Sequence, residues 1–304
     1  MNTIKEKLKK AAAIIPDTDL ILQEFLALIA GIKPVMIYQL NPNEISLIKT
    51  NFPELNIACR DKIICGKRSH ACALSYNESL AQKTIDSFCG EGSKWQLLGD
   101  LLGYPKCCVE SHLRYCGQSK QLDSPLITYQ AYKSSKKCNF LVNNLLNFST
   151  RVGDKKSNDF LHYLQLNKNL PIPYRYFQFI SHDPCRYDCQ ESIKIGKEID
   201  SLLKEYAPKV EKIVKYTLSK PILFFDLFKL VIFEGYLKEG VLYYQKIIPP
   251  FFLVDNSLME KIESGNRIIV DNKKIEILKD DSTLFVYQKK SEADGFILDF
   301  SESN

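Results

Sequence analysis

The sequence predicts an α+β protein, with a small N-terminal α/β unit, a central helical region that bears cysteines, and a β-rich C-terminal module. Three observations carry this. Apolar residues near the start fall at helical spacing and then alternate with short strand-like runs. Helical pieces dominate the middle of the chain. From about residue 216, short apolar runs follow one another between Asp-Asn and Asp-Asp pairs, which favour turns. The expected division is residues 1–215 for the first two parts and 216–304 for the third.

Taken in order, "IKEKLKKAAAII" and "DTDLILQEFLALIAG" read as helices within residues 2–30. Asp17, after Pro16, is the candidate cap of the second, and Gly31 closes it. "KPVMIYQL" reads as a strand, "NPNEISLIKTNF" as a helix opened by Asn and Pro, and "ELNIACRDKIIC" as a hairpin turning at Arg60-Asp61. Asn77 is the candidate cap of a helix over "NESLAQKTIDSF". "KWQLLGDLLGYPKCCVESHLRYCG" reads as two helical pieces broken at Gly103-Tyr104-Pro105, and the region to about residue 170 is mainly helical with a polar loop at "RVGDKKSND". "PIPYRYFQFI" has the aromatic content of a strand. "ESIKIGKEIDSLLKEYAPKVEKIVKY" is a long helix that Pro208 bends or ends. Strands over "GVLYYQKIIPPFFLV", "NRIIVDNKKIEILKDDSTLFVYQ" and "GFILDF" follow.

At 304 residues, 45% hydrophobic and 25% charged, the composition is that of a globular protein with a substantial core. A net charge of +5 falls short of the strongly basic balance of a dedicated nucleic-acid binder, though it suits an anionic ligand. "PILFFDLFKLVIF" contains Asp226 and Lys229, so no membrane span is expected. The opening residues lack the long apolar run of a secretory signal. These features predict a cytoplasmic protein whose thiols stay reduced, and its even count of ten cysteines is no sign of a disulfide framework.

The cysteines fall into two notable sets. In "GYPKCCVESHLRYCG", Pro105 suits the first position of a helix and would place Cys107 and Cys108 in its first turn. In "SHDPCRYDCQ", Asp183 can cap a helix from Pro184 that includes Cys185 and Cys189; alternatively Asp188 and Glu191 form a cap that leaves Cys185 in the preceding loop. Either way, thiols crowd a helix start, where unsatisfied N–H groups and the helix dipole favour the thiolate. Metal ligation requires that form.

Spacing sorts the ligands. Cys185 and Cys189 would share a helix face, as would Cys108 and His112, which allows a Cys3His set. Cys107 and Cys108 point about 100° apart on a helix, which favours a multi-iron cluster over one ion shared by both. No Cys-x-x-Cys occurs, and no third cysteine follows Cys189 in the manner of a radical-SAM loop. His182 and Tyr104 would line the site with Asp183. Cys89, Cys116 and Cys138 read as small buried residues.

The second set, "CRDKIICGKRSHAC", has no common metal spacing. Its Lys67, Arg68 and His70 could hold a phosphate or carboxylate, but a solvated, charged hairpin end accounts for them more simply. No phosphate-binding glycine loop, nucleophile elbow or dinucleotide fingerprint is present.

"LGYPKCC", Leu102 to Cys108, and "HDPCRYDC", His182 to Cys189, resemble the two defining motifs of an uncharacterised prokaryotic protein family best represented in archaea. The resemblance extends from the N-terminal unit to the end of the long helix, and implies no particular activity. His112 is not part of that pattern, which favours an all-cysteine site or one including His182.

The leading expectation is therefore a protein that binds an iron–sulfur cluster or zinc through Cys107, Cys108, Cys185 and Cys189, with an unknown small molecule or protein as partner. A metal-free thiol–disulfide protein is one alternative, with Cys107 or Cys108 attacking and Cys185 or Cys189 resolving. A nucleic-acid or nucleotide-binding module with a structural metal is another.

Overall fold

Thr3 opens the first helix, α1 (Ile4–Ile14), through a reciprocal cap: its hydroxyl accepts from the Glu6 N–H, and the Glu6 carboxylate accepts from the Thr3 N–H. The structure, a computed structural model, describes residues 3–17, 20–64, 67–90, 95–116, 125–146, 170–226, 229–252 and 256–301. Asp17, the expected cap of the next helix, instead ends a short 3-10 turn, and α2 (Leu22–Ile29) begins after Ile21 with no side-chain cap. Every residue of α2 is buried, Gln23 and Glu24 included. Packing on all sides, rather than capping, holds it in place.

Strand β1 (Met36–Gln39) and helix α3 (Pro42–Asn51) follow; Asn41 and Glu44 cap α3 reciprocally, with Pro42 at its first position. Strands β2 (Asn56–Ile64) and β3 (Lys67–Ser75) complete an antiparallel sheet in the order β1-β3-β2. The chain does not turn at Arg60-Asp61. Those residues lie within β2 opposite Ala71 and His70, and the pairing runs on to Ile64. Their charges are satisfied on the strand, Asp61 by His70 at 2.6 Å and Arg60 by Asp86 at 2.6 Å, so their turn propensity is overridden. Cys59 faces Cys72 directly across the ladder, and the two form a disulfide, contrary to the expectation of reduced thiols throughout.

Helix α4 (Glu78–Cys89), capped by Asn77 as expected, packs on β2 and β3. After it come α5 (Trp95–Leu101) and α6 (Lys106–Cys116), broken at Gly103-Tyr104-Pro105 as the sequence predicts. Gly103 has φ +72°, and a Cβ there would lie 2.8 Å from Pro34 Cδ. Gly103→Ala is expected to cost about 1–2 kcal/mol from the left-handed backbone alone, read as a lower urea midpoint at unchanged slope.

Helix α7 (Pro125–Lys133) and a 3-10 turn at Phe140–Val142 follow. The polar loop expected at residues 151–159, and His162, lie outside the described residues. The strand expected over 171–180 does not form: the segment holds a 3-10 turn at Tyr174–Tyr176, and Phe177, Gln178 and Phe179 are buried beyond it. Pro171 and Pro173 cannot donate to a ladder, and the Pro173 carbonyl instead accepts from the Tyr176 N–H.

The long helix is two helices, α8 (Gln190–Tyr206) and α9 (Pro208–Leu218), divided at Ala207-Pro208. Beyond it lie β4 (Ile222–Asp226), β5 (Lys229–Lys238), β6 (Val241–Phe252), helix α10 (Asn256–Ser264), β7 (Arg267–Val270), β8 (Lys274–Lys279), β9 (Ser282–Gln288) and β10 (Phe296–Leu298). These strands form one antiparallel sheet, a meander from β4 to β9 with β10 returning beside β4. The two-residue turn Glu239-Gly240 has φ above zero at both positions, as a hairpin requires. Asp271 caps the β7–β8 turn by accepting from the N–H groups of Lys273 and Lys274.

Strands β4 and β5 are buried on both faces. Ile222, Phe224, Leu230 and Ile232 join the main core with α1, α2, α8 and α9. Leu223, Phe225, Val231 and Phe233 join a second core under α10. The architecture is α+β. Among the described residues no helix is long and apolar enough to cross a membrane.

Candidate metal centre

The break at Gly103 points the start of α6 toward the segment before α8, and this sets the site. Cys107 and Cys108 occupy the first turn of α6, where the Pro105 carbonyl accepts from the N–H groups of Cys108 and Val109. Cys189 is the N-cap residue of α8, and Cys185 lies in the loop before it. No helix starts at Pro184, and Asp188 is not the cap. The Asp188 carboxylate instead accepts from the Lys136 N–H and pairs with Arg186. The Tyr187 N–H donates to Ser135 Oγ, and the Asn139 N–H to the Tyr187 carbonyl. The 185–189 loop is thus pinned to the end of α7 and the segment after it.

All four sulfurs lie within 4.8 Å of one another. Cys107 and Cys108 are 3.9 Å apart, Cys107 and Cys189 3.7 Å, and Cys108 and Cys189 3.8 Å. The expected divergence of Cys107 from Cys108 does not keep their sulfurs apart, because a 100° angle between Cβ directions leaves each χ1 free to aim its sulfur. Cys108 and Cys189 are buried, Cys185 is half-buried and Cys107 is exposed.

The buried sulfurs are supplied with donors. The Cys185 N–H donates to Cys108 Sγ at 3.3 Å, and Ser192 Oγ lies 3.3 Å from the same sulfur. Hydrogen bonds from Cys108 and Cys185, then from Ser192, hold the Cys189 thiol well below its ordinary range against burial. The Cys108 thiol is driven far up by its bonds to Cys185 and Cys189 and by burial. Bringing all four thiols to the thiolate form at such separations calls for a cation.

Beyond the sulfurs, His182 is buried with Nε2 2.8 Å from Ser192 Oγ. A hydroxyl has one proton; if Ser192 gives it to Cys108, Nε2–H must donate to Ser192. His182 is thus a partner of a partner, outside the sulfur group. Burial, then Lys33, pushes its pKa down to about 3, which keeps the ring neutral. Tyr104 lies over this ring at 5.0 Å between centroids, and its hydroxyl is 3.2 Å from Ser181 Oγ. Asp183 pairs with His112 Nδ1 at 3.2 Å, so the Cys3His arrangement is replaced by a carboxylate–imidazole pair.

Four further residues escaped the sequence reading. Lys33 is buried, pairs with Glu24, and donates to Ser181 Oγ at 2.6 Å. Burial opposes its charge, but Glu24 outweighs that and holds the ammonium above its ordinary range. The only signal was a charge set in apolar surroundings: Glu24 in "LILQEFLALIAG" and Lys33 in "GIKPVM". Ser181 and Ser192 carried none. Ser192→Ala is expected to weaken metal affinity about 10–100-fold with the fold retained, checked by competition with a chromophoric chelator.

The anion-site reading gains no support. The side chains of Lys67 and Arg68 lie outside the described residues, and His70 already faces the Asp61 carboxylate. Cys138 is buried, and burial pushes its thiol up to about 12, as suits a packing residue. Cys65 and the Cys116 side chain lie outside the described residues. Compared with protein-family models, with curated proteins and with solved structures, the chain has no match.

Proposed function

We propose that the chain is a zinc protein whose single ion is held by Cys107, Cys108, Cys185 and Cys189. The observation that carries this is the sulfur spacing. A tetrahedron with Zn–S bonds of about 2.3 Å has an edge of about 3.8 Å. The separations of 3.7, 3.8 and 3.9 Å among Cys107, Cys108 and Cys189 fit that edge, and the Cys185 sulfur lies within 4.8 Å of all three, near enough to be drawn in as the fourth ligand. A four-iron cluster puts a separate iron on each thiolate and a two-iron cluster divides the thiolates between two irons, so either spreads the four sulfurs further.

Four thiolates close the coordination shell, so the ion's main work is structural: it fastens the start of α6 to the start of α8, 82 residues apart in the case of Cys107 and Cys189. The motif resemblance points to the same four residues, and on that ground we place the chain with the prokaryotic family described above.

Metal analysis of protein purified without chelator tests the proposal. One zinc per chain is expected, and cobalt(II) substitution should give the spectrum of a tetrahedral sulfur set. Several irons per chain with acid-labile sulfide, or no metal, would overturn it.

A further inference from the structure

The four thiols are not equivalent, and the difference has a chemical consequence. Cys108 and Cys189 are buried, and N–H or O–H donors serve both. Cys107 is exposed, and among the described residues its sulfur lies against the sulfurs of Cys108 and Cys189. Burial keeps an electrophile from a thiolate and direct hydrogen bonds lower its nucleophilicity, whereas an exposed sulfur can be reached; metal ligation itself requires the thiolate form.

We infer that Cys107 is the reactive edge of the centre, a nucleophile that accepts an alkyl group from soft carbon electrophiles. The inference rests on the zinc reading. In the step, a sulfur lone pair of Cys107 forms the S–C bond, the bond from that carbon to its leaving group breaks, and the leaving group departs with the electron pair. No proton or oxidant is required, because the sulfur is already a thiolate, and the product is a thioether. The position suits this chemistry: Cys107 stands in the first turn of α6 with its side chain exposed, so an electrophile can reach the sulfur from solvent. Cys185, half-buried and engaged with Cys108 and Cys189, is the nearest competitor.

The test uses zinc-loaded full-length protein and limiting iodoacetamide at pH 6.5. There an ordinary free thiol, pKa about 8.5, is about 1% thiolate. Peptide mass spectrometry then locates the label, and metal analysis is run on the same sample. The expected result is one fast equivalent on Cys107, at least tenfold ahead of Cys185 and of half-buried Cys89, with Cys108 and Cys189 unlabelled. Cys107→Ser should lose the fast equivalent while the remaining three thiolates still bind cobalt(II). Label that falls first on Cys185 or Cys89, or spreads evenly over the four in zinc-loaded protein, overturns the assignment while leaving the zinc reading intact. A chain without zinc sinks the zinc reading and the assignment together, and the metal analysis alone shows that case.

Discussion

Cys189→Ser is expected to cut zinc affinity about 100-fold or more. Structural zinc sites contribute about 10–16 kcal/mol, and one ligand of four accounts for about a quarter of that. About 3 kcal/mol corresponds to roughly two orders of magnitude. Cys189 serves as the test because its sulfur contacts both Cys107 and Cys108, and because it is the N-cap residue of α8. It has no side-chain cap bond there, so serine does not disturb an existing cap. Chelator competition reads the affinity. Thermal melts with and without zinc should then show a large zinc-dependent rise for the native chain and a small one for the variant. Equal affinities would remove Cys189 from the ligand set.

The second large effect is expected far from any sulfur. Lys33→Met leaves the Glu24 carboxylate buried without its partner, at a cost of about 3–5 kcal/mol. Glu24 is 7% exposed and Lys33 6%, so little water is at hand to take over, and among the described residues Glu24 Oε1 has no hydrogen-bond partner. The double variant Glu24→Leu/Lys33→Met should recover most of the loss, because replacing a buried pair by apolar residues is often close to neutral. Urea unfolding of the three proteins measures this, and a single-variant cost below about 1 kcal/mol would show that the pair is hydrated.

The contrast between these two effects reflects what was legible in the sequence. The sulfur group was legible because Pro105 and the position of Cys189 tie the thiols to helix starts, which are local features. The break at Gly103-Tyr104-Pro105 and the turns at Asp271 and Asp280 were legible for the same reason: each depends on a few neighbouring residues. The Lys33–Glu24 pair was not, since it forms across α2 and the following turn and gains its meaning only from Ser181, 148 residues further on. Long-range contacts also account for the errors. Tyr176, Phe177 and Phe179 carry strand propensity but are enclosed by the main core, and among the described residues they join no ladder. Arg60 and Asp61 look like a turn until Asp86 and His70 are placed beside them. Strands β4 and β5 and helix α10 were not singled out. The first two lack alternation because both of their faces are covered.

X-ray absorption at the zinc edge of protein purified without added chelator tests the central claim most directly. A first shell of four sulfurs at about 2.3 Å is the predicted result. A shell containing nitrogen or oxygen in place of any sulfur, or a sample with no zinc at the site, would contradict it.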